Sequence, residues 1–209
     1  MTLIVITDTT AYIDTRITRI YPRPIKVNGK LTDRIYYNTP KYHLFDKPQV
    51  IIGEYASNIL LSSGDSGLLT KLDLKQEKGV SVYDQLPRVD YMSGSAKVEI
   101  VDRGTLVAIT PDNDVIEIQV GDKGPRYTKV EETDNTPRLR AYGSGAPAYR
   151  LFDKLYKLSV LELFALVAHA DPGVGGDIHA YDIATQQVST HQLPPIEAVF
   201  RKLHKRNVR

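Results

Sequence analysis

Thr2 directly follows Met1 and opens the stretch Met1–Thr18, MTLIVITDTTAYIDTRIT. Its small side chain makes Met1 a suitable target for removal, which would leave a threonine carrying its own α-amine. Such an amine titrates near neutrality and takes the proton of the neighbouring hydroxyl, a route to an activated nucleophile. If Met1 stays, that nitrogen is an amide and the hydroxyl has no base. Asp14-Thr15-Arg16-Ile17-Thr18 adds a carboxylate, a guanidinium and a hydroxyl. The plainer reading stands beside this one: Thr2 as an ordinary second residue and Asp14 as an ordinary strand-end acid. His43, His169, His179, His191 and His204 have no paired metal-ligand spacing and read as structural or surface groups, so no metal or cofactor is expected.

The elements that must position these residues are short. Leu3-Ile4-Val5-Ile6 and Ala11-Tyr12-Ile13 are apolar runs joined by turn-prone Asp8-Thr9-Thr10, which predicts a β-hairpin and brings Asp14 back beside the chain start. Ile20 to Lys30 holds two prolines and the Asn28-Gly29 turn signal, and reads as a loop or short ribbon before a strand over 31–37. Further strands are expected at 41–45 and 49–53. Glu54 to Leu61 is expected to begin a helix, and Leu68 to Leu74 has a weaker helical pattern. Strands follow at 97–101, 105–110 and 115–120, then a polar excursion from Gly121 to Pro137 and a strand over 138–142. Ala148 to Tyr156 has helical spacing. Ser159 caps a second helix to about Ala170, with Glu162 at the capping-box position. Ile178 to Ile183 closes the sheet order. Residues 1–200 are read as one domain and the basic 201–209, RKLHKRNVR, as a tail.

Bulk properties narrow the classes. The 209 residues suffice for a full core, and 42% hydrophobic with 25% charged residues is ordinary for a globular protein. A net charge of +2 argues for neither a nucleic-acid nor a membrane partner. The absence of cysteine excludes disulfides and thiol chemistry. No apolar run approaches a membrane span and no signal-peptide pattern opens the chain, so a cytoplasmic location is expected. Helices segregated from mostly antiparallel strands predict an α+β class, with helices covering the faces of stacked sheets.

Three short motifs carry a resemblance. Tyr142-Gly143-Ser144-Gly145-Ala146-Pro147-Ala148 resembles the Gly-Ser-Gly-x-Pro-Tyr-Ala stretch of proteasome β subunits and the bacterial HslV peptidase. Asp171-Pro172-Gly173-Val174-Gly175-Gly176-Asp177-Ile178 is similar to their Asp-x-x-(Ser/Thr)-Gly-Gly-x-(Ile/Val) motif, in a form like that of shorter proteasome-like proteins of bacteriophages and some bacteria. Asp14-x-Arg16-x-Thr18 matches their Asp-x-Arg-x-Thr. The resemblance implies an N-terminal-nucleophile (Ntn) hydrolase, a four-layer αββα sandwich of two antiparallel sheets between helix layers. It implies Thr2 as nucleophile, Lys41 as the neighbouring cation (with Lys26 and Lys30 as rivals) and Asp14 as its holder. Ser144 and Asp171 would orient the amine. Backbone N–H groups at the start of a helix after Gly53, around Ala56 and Ser57, would meet the oxyanion, with Arg16 and Thr18 along the substrate groove. The chain departs from the family in Gly53-Glu54 where a Gly-Gly pair is usual, and in Val174 where a serine or threonine is usual.

Two functions follow as expectations. One is an N-terminal-threonine hydrolase cleaving amide, most simply peptide, bonds as a homo-oligomer, acting in a cytoplasm. The other is a non-catalytic structural or assembly protein, for instance of a phage virion, that keeps Met1 and reuses the fold against structural partners.

Overall fold

The computed structural model describes residues 2–44, 50–52, 55–57, 59–62, 105–110, 112, 114–119, 126–130 and 140–207. The strand expected at 97–101 and most of the 121–137 excursion lie outside these residues, as does the helical pattern at 68–74. Among the described residues, two five-stranded antiparallel sheets form the body. The first runs β12 (Arg140–Tyr142), β1 (Ile4–Ile6), β2 (Thr10–Asp14), β13 (Ile178–Asp182), β14 (Gln187–His191). The second runs β11 (Arg126–Lys129), β10 (Val115–Gln119), β9 (Thr105–Ile109), β8 (Ile59–Ser62), β5 (Tyr42–Leu44). Among the described residues β3 (Arg16–Val27) pairs only with β4 (Lys30–Asn38), and β6 (Val50–Ile52) only with β7 (Tyr55–Ser57).

The run Leu3-Ile4-Val5-Ile6 shows why the first sheet is central. A strand sends successive side chains to opposite faces, and an unbroken apolar run is one with both faces covered. Ile4 and Ile6 face the second sheet, packing with Ile13, Ile59, Leu61, Val107 and Ile109. Leu3 and Val5 face the helices, packing with Tyr149, Phe164, Val167 and Ile178. The second sheet is buried on both faces too: Leu60, Leu106, Ala108 and Ile116, alternating with its inner-face residues, have no accessible surface.

Among the described residues the helices are α1 (Ala146–Leu155), α2 (Val160–Ala170) and α3 (Ile196–Asn207). α2 begins as expected: the Ser159 hydroxyl accepts from Glu162 N–H, and the Glu162 side chain accepts from Ser159 N–H. Tyr149 of α1 meets Phe164 of α2 edge-to-face at 5.8 Å. α3 sets Val199, Ile196 and Leu203 against Ala165 and Leu166 of α2. Residues 201–207, read as a tail, are the second half of this helix. None of the helices among the described residues is long and apolar enough to cross a membrane.

Two expectations are corrected. Among the described residues the fold is mostly β-sheet with three short helices, not an α+β four-layer αββα sandwich. All three follow residue 145, and α1 and α2 lie against one face of the first sheet, so no opposing helix layer is formed by the described residues. The helix expected to begin after Gly53 is also absent, because 55–57 and 59–62 are strands. Ile59 and Leu61 face the inner core while Leu60 faces away, a period of two that a helix cannot satisfy.

Candidate active site

The turn of the β1–β2 hairpin places Asp14 level with the residue before β1. Leu3 N–H donates to Asp14 Oδ1 at 2.8 Å and Asp14 N–H donates to the Leu3 carbonyl at 3.2 Å. Lys41, immediately before β5, reaches across to the same carboxylate, with Nζ 2.9 Å from Oδ1 and 3.0 Å from Oδ2. Gly175 N–H completes the set at 3.1 Å from Oδ2. Asp14 is 0% and Lys41 1% exposed. An ion pair this deep is tolerated only when its remaining hydrogen-bonding capacity is met, and for Asp14 two backbone donors meet it.

Burial pushes the Asp14 carboxyl above its ordinary value, against the opposing pull of the Lys41 ammonium and the Leu3 and Gly175 donors. Burial likewise draws the Lys41 ammonium below its ordinary value, against the pull of Asp14. Lys41 therefore gives up its proton more readily than a surface lysine does.

Thr2 joins this centre through the backbone. Its N–H donates to Ser144 Oγ at 3.2 Å, and its carbonyl accepts Gly145 N–H at 3.1 Å. Gly143 has a φ of +89°, and a Cβ there would collide with the Thr2 carbonyl oxygen. The Gly143-Ser144-Gly145 turn thus presses against Thr2 in a way a side chain would forbid. Thr2 itself is fully buried. With Met1 in place, the nitrogen facing Ser144 is an amide.

The loop after α2 forms the opposite wall. Asp171 accepts Gly173 N–H at 2.9 Å and so shapes its own turn, while Ser144 is the residue at the Thr2 nitrogen. Arg16 donates to the carbonyls of Pro172 and Val174, each at 3.3 Å, with its guanidinium 5.5 Å from the centre of the Tyr36 ring. Gly175, with φ +135°, passes so close that a Cβ would lie 2.9 Å from Arg16 Cζ. Arg16 therefore straps the loop that delivers Gly175 N–H to Asp14. Val174, standing where the family has a hydroxyl, has no accessible surface and packs with Leu3 and Ile178.

The expected groove residues divide. Thr18 carries a buried Oγ1 with no hydrogen-bond partner, a donor and acceptor left unused. Ser57 is occupied elsewhere: its Oγ lies 2.9 Å from the Ile59 carbonyl and 2.7 Å from that of Ile109, and accepts Ile59 N–H. It staples β7 and β8 to β9. Ala56 pairs with Ile51 in the β6–β7 hairpin, so the helix N-terminus expected to hold the oxyanion is not there.

Thr2 and Asp14 of one hairpin, Lys41 and Ser144 are thus gathered from three separate parts of the chain. The sequence reading missed the supporting backbone, namely the N–H groups of Leu3, Gly145 and Gly175. Positive φ at Gly143 and Gly175 is the signal that a run of glycines beside Ser144 and Asp171 carried. No protein-family model matches the chain, and no curated protein matches it.

Proposed function

We propose that this chain is an N-terminal-threonine hydrolase of amide bonds, resembling the peptidases of the proteasome β-subunit and HslV family, and that removal of Met1 activates it. The observation that carries the reading is the convergence just described: the Thr2 nitrogen on Ser144 Oγ, and a buried Lys41–Asp14 pair anchored to the neighbouring Leu3 N–H. With Met1 gone, that nitrogen becomes an amine titrating near 7.7–8.0, about the range where it serves as base for its own hydroxyl. Thr2 Oγ1 attacks the substrate carbonyl, the amine takes the hydroxyl proton, and the Lys41 ammonium favours the developing alkoxide. The proton then passes to the leaving amine as the C–N bond breaks. Water hydrolyses the resulting threonine ester and regenerates the free hydroxyl. Ser144 keeps the amine oriented through both halves.

The test is release of a fluorescent amine from short peptide amides by the processed chain. Turnover is expected to rise with pH as the amine deprotonates, and to be lost in Thr2→Ala. Turnover unchanged in Thr2→Ala contradicts the reading. One observation favours the second reading, a non-catalytic assembly role: Thr2 has no accessible surface. That reading expects Met1 to be retained on the purified protein and Thr2→Ala to leave its associations intact.

A further inference from the structure

The charge of the chain is not spread evenly. Residues 16–38 hold six basic side chains, Arg16, Arg19, Arg23, Lys26, Lys30 and Arg34, against one acid, Asp33. The whole chain carries only +2, so everything outside this stretch is net acidic. The fold makes the basic stretch a single object, the β3–β4 ribbon, whose strands pair only with each other among the described residues. None of the nine residues of β4 is buried. The tip turns at Asn28 and Gly29, both with positive φ (+48° and +80°), the backbone a tight two-residue hairpin turn requires. Arg23, Lys26, Lys30 and Arg34 are all exposed along its outer half. Pro22 and Pro24 lie where the register shifts between Ile20 and Ile25, and lacking N–H they discourage pairing of β3 with another strand. Tyr36, 44% exposed, shares a face of β4 with Lys30 and Arg34.

We propose that the β3–β4 ribbon is a binding arm for double-stranded nucleic acid. Two strands about 4.8 Å apart fit a major groove about 12 Å wide with room for their side chains. The nine residues of β4 at about 3.3 Å each extend the arm roughly 30 Å, enough to pass several phosphates. A duplex presents a negative charge about every 1.7 Å of its axis, a density that the net-acidic remainder of a second copy of the chain does not match. The arm is independent of the hydrolase chemistry, because Arg23, Lys26, Lys30 and Arg34 take no part in the Thr2 cluster.

The probe is a fluorescently labelled 20-base-pair DNA duplex, titrated with the full chain and followed by anisotropy from 50 to 200 mM salt. Four phosphate contacts give a slope of log affinity against log salt of about −3.6, or about 150-fold weakening across that range. Lys26→Gln/Lys30→Gln is expected to halve the slope and weaken binding at 50 mM, as is Arg23→Gln/Arg34→Gln, each with an unchanged far-ultraviolet spectrum. Arg201→Gln/Lys205→Gln, on exposed positions of α3, itself a basic helix, leaves both affinity and slope as they were. Absence of binding at 50 mM, or a slope that α3 rather than the ribbon controls, overturns the proposal. So does a ribbon variant that changes the mass of the assembled protein while DNA binding is missing, which assigns the arm to a second copy.

Discussion

Lys41→Met keeps most of the aliphatic stem of Lys41 and deletes its charge. What remains is the Asp14 carboxylate at 0% exposure, with the N–H donors of Leu3 and Gly175 and no cation. Because the pair is shielded from solvent, the cost is that of a stranded buried charge, about 3–5 kcal/mol, rather than the small value of a surface bridge. For 209 residues, with an unfolding entropy of about 2.1 cal/mol/K each, this corresponds to a fall in melting temperature of about 7–11 °C. Asp14→Asn strands the ammonium instead, and faces an amide N–H group toward the backbone donors. The double variant Asp14→Asn/Lys41→Met removes both charges and is expected to lose less than the sum of the singles, with a coupling of about 1–3 kcal/mol. Urea unfolding at neutral pH, followed by circular dichroism on all four proteins, measures this. A loss below about 1 kcal/mol for Lys41→Met, or strictly additive losses, refutes the claim that a buried ion pair organises the site.

Ser159→Ala removes the hydroxyl half of the α2 capping box and is expected to cost about 1 kcal/mol in the same assay. Partial burial pushes the Glu162 carboxyl up, but hydrogen bonds from Lys202 and from Ser159 outweigh it and hold it below its ordinary value of 4.5. A carboxyl with a lowered folded-state value stabilises fully above the unfolded value and loses that contribution as pH falls through the folded one. The stability difference between the wild type and Glu162→Gln is therefore expected to be constant near neutrality and to shrink below about pH 4.5. A difference that grows toward acid contradicts the assignment. Gly143→Ala puts a Cβ against the Thr2 carbonyl at a positive φ, and is expected to cost about 1–3 kcal/mol or more. It should also abolish peptide turnover by shifting Thr2 from Ser144; full turnover in a stable Gly143→Ala protein contradicts that contact.

Local patterns carried much of the fold. Leu3-Ile4-Val5-Ile6 reads as the first arm of a hairpin, and Ile4–Ile6 is that strand. Ser159 and Glu162 mark the α2 start to the residue, because a capping box depends on four neighbouring positions and little else. Where tertiary contacts decide, the reading failed. The 55–62 stretch has neither a turn signal nor clean alternation, and only the Ser57 staple to Ile109 and the two-sided burial of Leu60 and Leu61 make it strand. Ser57 consequently serves structure, although its position suggested an oxyanion loop. α3 hid behind its charges: Ile196, Val199 and Leu203 recur at helical spacing, but the basic residues between them suggested a tail. β14 was missed because an exposed edge strand such as QVSTH carries no apolar alternation. In the site, Asp14 and Ser144 stand in short motifs and Lys41 at the start of a strand, and the fold sets Lys41 on Asp14 and Ser144 at the Thr2 nitrogen. The role of Arg16 as a strap on the loop that supplies Gly175 N–H is a matter of three-dimensional closure that no short string contains.

The central claim is that Thr2, once it begins the chain, is a nucleophile set against Ser144 and the Asp14–Lys41 pair. Intact-mass spectrometry of the purified protein before and after an epoxyketone, which bonds both the amine and the hydroxyl of an N-terminal threonine, tests it most directly. The account predicts a mass lacking one methionine residue, then a single adduct on Thr2 that is absent in Thr2→Ala. A chain that keeps Met1, or that begins at Thr2 and takes up no adduct, contradicts it.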